Sequence, residues 1–333
     1  MSARAWTAFA IVSTLWGVPY LFIKVAVDDG VPPAFLAWVR VVLGAAVLLG
    51  LAWRAGVLRG FAGRWRWLLM FAVFEICIPF PLIAAGEQHV ASSLAAIIVA
   101  AAPLFVALLA LRFDASERPD RKRLVGLVIG LAGVVALMGV DVAGSRAELL
   151  GALAILTAAF GYAVGPMTLK RKLADFDPRA SMGVSLAIAA VVLTPFAAVD
   201  HPTEMPSLQA WGALLALGLF CTAAAFVFYG MLVSEVGAGR ALVITYVNPV
   251  VAVALGVAIL GERPGAGAIA GLLLILAGSW LSTDGRLPPG LVALLDRFES
   301  RPQPPAPESP PLDPLRAERL EVPGLAGRQV EVA

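Results

Sequence analysis

The chain has 333 residues, of which 60% are hydrophobic and 14% are charged, and its formal net charge is +2. Soluble domains carry roughly 25% charged residues, so this composition excludes an ordinary water-soluble fold. The basic residues are divided among separate loops, which excludes a folded basic face for nucleic acid.

Long apolar runs recur along most of the sequence. A helix needs about 20 apolar residues to cross the hydrocarbon core of a bilayer. The runs are continuously apolar and do not alternate with polar residues, so they predict helices and not a β-barrel. The ten predicted spans are 5–23, 41–53, 67–86, 90–111, 124–140, 149–169, 180–199, a stretch inside 205–234, 241–261 and 264–283. The second span is extended to include Arg40.

The second half of the chain repeats the first. The string GLVIGLAG at 126–133 returns as GLLLILAG at 271–278, and Glu-Arg-Pro precedes the two copies at 117–119 and 262–264. Each half holds five predicted spans, which is an odd number, so the second half must enter the membrane from the opposite side. The sequence therefore predicts an all-α integral membrane protein built from two inverted five-helix repeats.

The distribution of charge gives the predicted boundaries and orientation. With the N-terminus inside the cell, the inner segments hold 15 Lys and Arg residues and the outer loops hold 2. This asymmetry predicts a multi-pass protein of the cell (plasma or inner) membrane with both termini cytoplasmic. The predicted repeats are 5–140 and 148–283. Residues 284–333 contain ten prolines and predict a disordered cytoplasmic tail.

Two ionisable residues fall deep inside predicted spans. A charge at the bilayer centre costs roughly 2.5 to 3.5 kcal/mol on insertion scales, so Glu75 and Arg40 are candidate functional residues. A carboxylate without a partner at this depth favours its neutral form, which suits a group that couples transport to protons or recognises a cation. A hydrogen bond to a neighbouring helix, or a salt bridge between Glu75 and Arg40, would instead make Glu75 structural.

Aromatic and amide side chains are the next candidates for the substrate site. Trp16 and Tyr20 lie one helical turn apart on the first span, and Tyr162, Tyr246 and Asn248 lie in spans of the second half. Their rings could meet an apolar or cationic substrate, although aromatic stripes in membrane helices more often serve packing.

Prolines interrupt corresponding spans of the two halves. Pro103 and Pro249 occupy matching positions, where a proline frees a backbone carbonyl that must face protein or a cavity. They are candidate substrate contacts or tolerated kinks. The last span of each half also contains a GxxxG motif, which allows close helix packing and leaves a homodimer open.

Four stretches of the sequence resemble the EamA-type branch of the drug/metabolite transporter superfamily: LWGVPYLFIK, PPAFLAWVR, SSLAAIIVAAAPLFVALL and VNPVVAVALGVAILGERP. The resemblance covers 5–283 and implies ten helices, a central cavity, and export of small metabolites by alternating access. The positions that match the family pattern are Trp16, Gly17, Lys24, Arg40, Pro103, Pro249 and Glu262.

The function expected from these features is a secondary transporter, an exporter of small metabolites or of amino-acid-like or amphipathic drug-like compounds. The lipid bilayer, a small-molecule substrate and protons are the expected partners. An exchanger of nucleotide-sugars or phosphorylated metabolites is the alternative, but it should line its cavity with several Lys or Arg. A channel is a further alternative. The sequence lacks GxSxG and HExxH motifs, so we expect no enzyme, catalytic residue, metal site or cofactor.

Overall fold

The computed structural model describes residues 2–113, 121–138, 145–236, 241 and 244–282, and the regular elements in these ranges are helical. Before residue 139 the α-helices are α1 (Ala3–Gly17), α2 (Pro19–Asp28), α3 (Pro33–Arg54), α4 (Trp65–Ala72), α5 (Pro79–Glu87), α6 (Ser92–Val99), α7 (Ala102–Phe113) and α8 (Arg121–Leu137). After residue 144 they are α9 (Arg146–Lys172), α10 (Pro178–Val199), α11 (Leu208–Leu215), α12 (Ala225–Val236), α13 (Ile244–Leu260) and α14 (Ala266–Ser282). Two π-helical segments lie between α4 and α5 and between α11 and α12, and they are called π1 (Val73–Cys77) and π2 (Ala216–Ala224). The predicted tail, 284–333, lies outside the described residues.

Seven helical stretches among the described residues are long and apolar enough to cross a membrane: Arg4–Asp28, Pro33–Arg54, Trp65–Glu87, Ser92–Leu109, Arg146–Lys172, Pro178–Val199 and Leu208–Val236. Three shorter apolar helices are Leu124–Leu137, Ile244–Leu260 and Ala266–Leu281. Large apolar side chains stay exposed on these helices; Val191 and Trp53, for example, are each 75% exposed. Such side chains suit contact with lipid and not with water, so the fold is that of a multi-pass membrane protein.

Helix starts follow from local sequence. Proline stands at the beginning of α2, α3, α5 and α10, where its fixed φ suits a helix and its missing N–H costs no hydrogen bond. The hydroxyl groups of Ser2 and Ser207 accept hydrogen bonds from the backbone N–H groups of Ala5 and Ala210, at 3.1 Å each. These side chains cap α1 and α11.

Prolines also mark the interruptions inside the spans. α6 ends at Val99 and α7 begins at Ala102, so the first half is interrupted just before Pro103, as predicted. Its counterpart differs, because α13 runs without a break through Pro249. Pro249 is the sixth residue of α13, so its missing N–H frees a carbonyl in the first turn, where the cost to the helix is small.

The two copies of the repeated string are in direct contact. A Cβ atom added to Gly133 of α8 would lie 2.8 Å from the Leu274 Cβ and 3.1 Å from the Gly271 carbonyl oxygen of α14. Gly278 lies equally close to the backbone of Gly130. The glycines let two helix backbones touch, so these small residues are used for packing within the chain.

Candidate functional site

The carboxyl group of Glu75 lies in π1, in the middle of the Trp65–Glu87 stretch. The residue is half-buried, but its Oε2 atom is inaccessible to solvent and has no hydrogen-bond partner. Two glycines of α9 make room for it: Gly161 faces the Phe74 carbonyl oxygen, and a Cβ at Gly165 would overlap the Glu75 carboxylate. π-helical turns are frequent at functional sites. The fold therefore holds one acidic oxygen free in an apolar interior.

Arg40 of α3 is buried and has partners other than Glu75. Its Nε donates a hydrogen bond to the Thr222 Oγ1 in π2 at 2.9 Å, and its guanidinium carbon lies 3.8 Å from the centre of the Phe80 ring. Thr222 in turn donates to the Leu217 carbonyl oxygen at 2.8 Å. No ion pair joins Arg40 to Glu75 in the part of the chain that the structure describes, so the salt-bridge alternative is absent there.

Two tyrosines lie near these ionisable groups. Tyr20 of α2 is buried and close enough to Arg40 and Tyr162 to interact with both electrostatically. Tyr162 of α9 interacts in the same way with Arg40 and with Glu75. The structure thus brings four of the predicted site residues together as one polar group inside the apolar core.

Trp16 lies at the edge of this group. Its ring packs edge-on against Phe226, with centroids 5.4 Å apart, and at a tilt against Tyr229, with centroids 4.9 Å apart. Tyr229 also interacts electrostatically with Glu75. Trp16 therefore contacts a tyrosine of α12 that lies near Glu75 and that the sequence did not single out.

Tyr246 and Asn248 make helix-packing contacts. The Tyr246 hydroxyl donates to the Ser279 carbonyl oxygen at 3.3 Å and so links α13 to α14. The Asn248 amide nitrogen, oriented toward its acceptors, donates to the carbonyl oxygens of Ser13 at 3.2 Å and Ile244 at 2.9 Å. These bonds fasten α13 to α1, and they do not reach the group around Glu75.

The two halves of the chain each match one known protein family. The EamA-like transporter family matches residues 4–139 and again residues 149–283. The chain belongs to the EamA-like transporter family. Members of this family are transporters, and the resemblance seen in the sequence is thereby confirmed.

Similar proteins bear related names. The "Uncharacterized inner membrane transporter YedA" of Escherichia coli K12 is 31% identical over 260 residues, 74% of this chain and 80% of that protein. The "Probable amino-acid metabolite efflux pump" of Salmonella typhimurium LT2 is 26% identical over 286 residues, 83% and 93% of the two chains. One solved crystal structure matches 90% of this chain over 100% of its own chain, with a TM-score of 0.61 and 21% sequence identity. The two chains therefore share a fold.

Glu262 of this EamA protein caps a helix of the other half. Its carboxylate accepts hydrogen bonds from the backbone N–H groups of Ser92 at 2.7 Å and Ser93 at 2.9 Å, at the start of α6. Burial opposes ionisation of Glu262, but hydrogen bonds from Ser93 and Ser92 outweigh it and hold the pKa of the carboxyl below its ordinary value. The loop before α14 is thereby tied to α6.

A second buried acid was missed at the sequence level. Glu87 is 0% exposed, and neither of its carboxylate oxygens has a hydrogen-bond partner. Lys24 lies beside it, donating to the Asp28 carboxylate at 2.7 Å and to the Glu87 carbonyl oxygen at 3.0 Å. Glu87 is followed by Gln88 and His89, so in the sequence it looks like the first residue of a loop.

Among the described residues no group of three or more His, Cys, Asp or Glu side chains could hold a metal ion.

Proposed function

We propose that this EamA protein is a secondary transporter that exports small metabolites, amino-acid-like or amphipathic drug-like compounds, by alternating access around a midplane cavity. In this proposal the chain crosses the plasma or inner membrane ten times, as two inverted five-helix repeats at 5–140 and 148–283. Both termini are cytoplasmic, and protons are the coupling ion.

Helix packing supports the inverted repeats. α3 packs against α10 and α8 packs against α14, which pairs the second span and the fifth span of one half with their counterparts in the other. The π-helical segments π1 and π2 lie in the third span of each half. Two separate matches to one family support the same duplication. A pseudo-two-fold axis would relate elements in this way.

The free carboxyl oxygen of Glu75 is the observation that carries the proposed coupling. Burying an ionised group at this depth is unfavourable in free energy, and Oε2 makes no hydrogen bond that would offset this. A carboxyl group in this position binds a proton or a cationic ligand more readily than it stays charged alone. It can therefore load on one side of the membrane and release on the other.

The groups around Glu75 favour a cationic or amphipathic substrate. Tyr162 and Tyr229 place aromatic rings near the carboxyl group, and Trp16 packs against Tyr229. Such rings attract cations and apolar surface. Arg40 is already engaged by a ring and a hydroxyl group, which gives a phosphate-bearing substrate little to bind. The name of the Salmonella relative, "Probable amino-acid metabolite efflux pump", supports the same class of substrate.

The test uses the purified full chain in two steps. A panel of amino acids, amphipathic amines and sugar phosphates is first screened for thermal stabilisation, since a ligand of the folded state raises its stability. Transport of the stabilising compound into proteoliposomes is then measured across a range of pH for the parent and for Glu75→Gln. The variant keeps the shape of the side chain and removes its titration, so we expect pH dependence to disappear or apparent affinity to fall at least tenfold.

Glu204→Gln is the matched control, because it makes the same chemical change in an exposed loop. It should transport like the parent. A folded Glu75→Gln protein that keeps the parent's pH dependence and affinity would show that Glu75 only packs. Stabilisation and transport confined to sugar phosphates would assign the protein to the alternative exchanger class.

A further inference from the structure

The buried carboxyl group of Glu87 has an unusual setting. It ends α5, where Gly86 is pressed against α9 so closely that a Cβ would lie 2.8 Å from the Gly151 carbonyl oxygen. The same Cβ would overlap the Ile155 side chain, so α9 closes this side with residues that carry no charge. Water is excluded, and both carboxylate oxygens are without partners. A permanently ionised carboxylate would not be stable in such surroundings.

The ionisable groups facing this carboxyl come from three other elements. Lys24, Asp28 and Tyr20 belong to α2, and Arg40 belongs to α3. Glu262 of the loop before α14 adds a further negative charge. Asp28 and Glu262 bring negative charge to these surroundings, and Lys24 and Arg40 bring positive charge.

Lys24 is the only one of these groups placed to change partners easily. Its ammonium group already donates to the backbone of Glu87 and pairs with Asp28, whose side chain is 56% exposed. The Lys24 side chain is 21% exposed, so the pair lies at the edge of the solvent, where screening from the Asp28 side weakens it. A rotation of the long lysine side chain then suffices to carry the ammonium group toward the Glu87 carboxylate.

We propose that Glu87 is a second proton-binding carboxyl group of this transporter, and that Lys24 is its counter-ion switch. The protonated Glu87 stands beside a Lys24 paired with Asp28. When the transport cycle opens this site to water and Glu87 releases its proton to it, the carboxylate that remains takes over the Lys24 ammonium group, and Asp28 is left to the solvent. The inference deepens the proposed proton coupling, and rests on it, by adding a second proton site on the same span as Glu75.

Infrared difference spectroscopy of the purified full chain during pH titration tests this inference without a substrate. The C=O stretch of a protonated carboxyl group is separate from that of a carboxylate, so buried acids are seen directly. We expect two titration steps of buried carboxyl groups in the parent, one lost in Glu75→Gln and the other lost in Glu87→Gln. Size-exclusion profiles and melting temperatures establish that each variant is folded.

Two further variants move the Glu87 step in opposite directions while leaving its carboxyl group intact. Lys24→Met removes the counter-ion, so deprotonation should require a medium more alkaline by about one pH unit or more. Asp28→Asn frees Lys24 for Glu87, so deprotonation should occur in a more acidic medium. The Glu75 step should stay in place in both. These variants decide the question even where Glu87→Gln does not fold.

The outcomes separate this inference from the proposed function. An unchanged spectrum in folded Glu87→Gln, or no movement of any step in Lys24→Met and Asp28→Asn, overturns the role of Glu87 and leaves that of Glu75 standing. A different result is a parent that shows no titration step for Glu75, together with a Glu87 step that moves in Lys24→Met. That result overturns the proposed coupling at Glu75 and supports the inference about Glu87.

Discussion

Gly165 determines whether the Glu75 carboxyl group has room in the core. A helix glycine costs stability relative to alanine, so one that contacts a carboxylate is there for space and not for conformation. Arg40 shows a related principle, because a buried guanidinium group needs an acceptor and finds it in Thr222. At the scale of single residues the site is set by what each polar group touches.

Gly165→Ala should destabilise the protein by about 1 to 3 kcal/mol, or displace the Glu75 side chain, since its new Cβ would overlap the carboxylate. Gly230→Ala is the matched control, because that glycine is also helical and a Cβ there meets no atom within 4 Å. The control should be neutral or stabilise by up to about 1 kcal/mol. Melting temperatures of the two purified variants in detergent provide the comparison, and equal shifts would argue against a tight site.

Thr222→Val should cost about 1 to 3 kcal/mol, because it keeps the shape of the side chain but leaves a buried donor of Arg40 without its acceptor. Thr222→Ser keeps the hydroxyl group and should restore most of the loss. Unfolding in denaturant measures both. If Thr222→Val is as stable as the parent and Thr222→Ser is not, the methyl group of Thr222 and not its hydrogen bond is what matters.

Helices were largely predictable from the sequence, but their irregularities were not. Continuous apolar runs predict helices, and proline predicted the interruption before Pro103. The π-helical turn at Glu75 could not be predicted, because one inserted residue leaves the apolar composition unchanged. The partners of Arg40 lie 40 and 182 positions away in sequence, and Glu87 is buried only because α9 covers it. Such long-range contacts follow from tertiary packing.

At the scale of elements, Glu262 should stabilise the start of α6 from a distance. Glu262→Ala removes two charge-assisted hydrogen bonds at a helix N-terminus and should cost about 0.5 to 2 kcal/mol. The folded protein lowers the pKa of this carboxyl. Its stabilisation is therefore present above the unfolded-state pKa and is lost as the pH falls through the folded-state value.

Melting temperatures at neutral and acidic pH measure this effect. The difference between parent and Glu262→Ala should be large at neutral pH and should shrink as the medium is acidified. Glu204→Ala, in an exposed loop, is the control and should follow the parent at both pH values. A difference between parent and Glu262→Ala that stays constant with pH would mean that the ionised carboxylate does not act as the cap.

For the whole molecule, the distribution of charge along the sequence predicts an orientation in the membrane. Lys and Arg collect on the cytoplasmic side of membrane proteins because they resist transfer across the bilayer, and the 15 to 2 distribution predicts the side of each loop. The identity of the substrate does not follow from hydropathy or charge distribution. It depends on a few atoms in the interior, and a change in those atoms leaves hydropathy untouched. Family membership therefore defines the class of protein, and the transported compound follows from experiment.

The orientation leads to a paired prediction. A reporter that fluoresces only inside the cell should light up when fused after Ala333, and Asp200→Cys should react with a membrane-impermeant thiol reagent in intact cells. Asp200 directly follows the last residue of α10 and is exposed, so its replacement disturbs little. The parent chain is the labelling control, because its Cys221 is buried and its Cys77 is half-buried within a span. Arg59→Cys, on the predicted inner side, should stay unlabelled until the cells are opened. A dark fusion, or an Asp200→Cys protein that reacts only after lysis, would place the loops on the wrong sides and remove the basis for an inverted repeat.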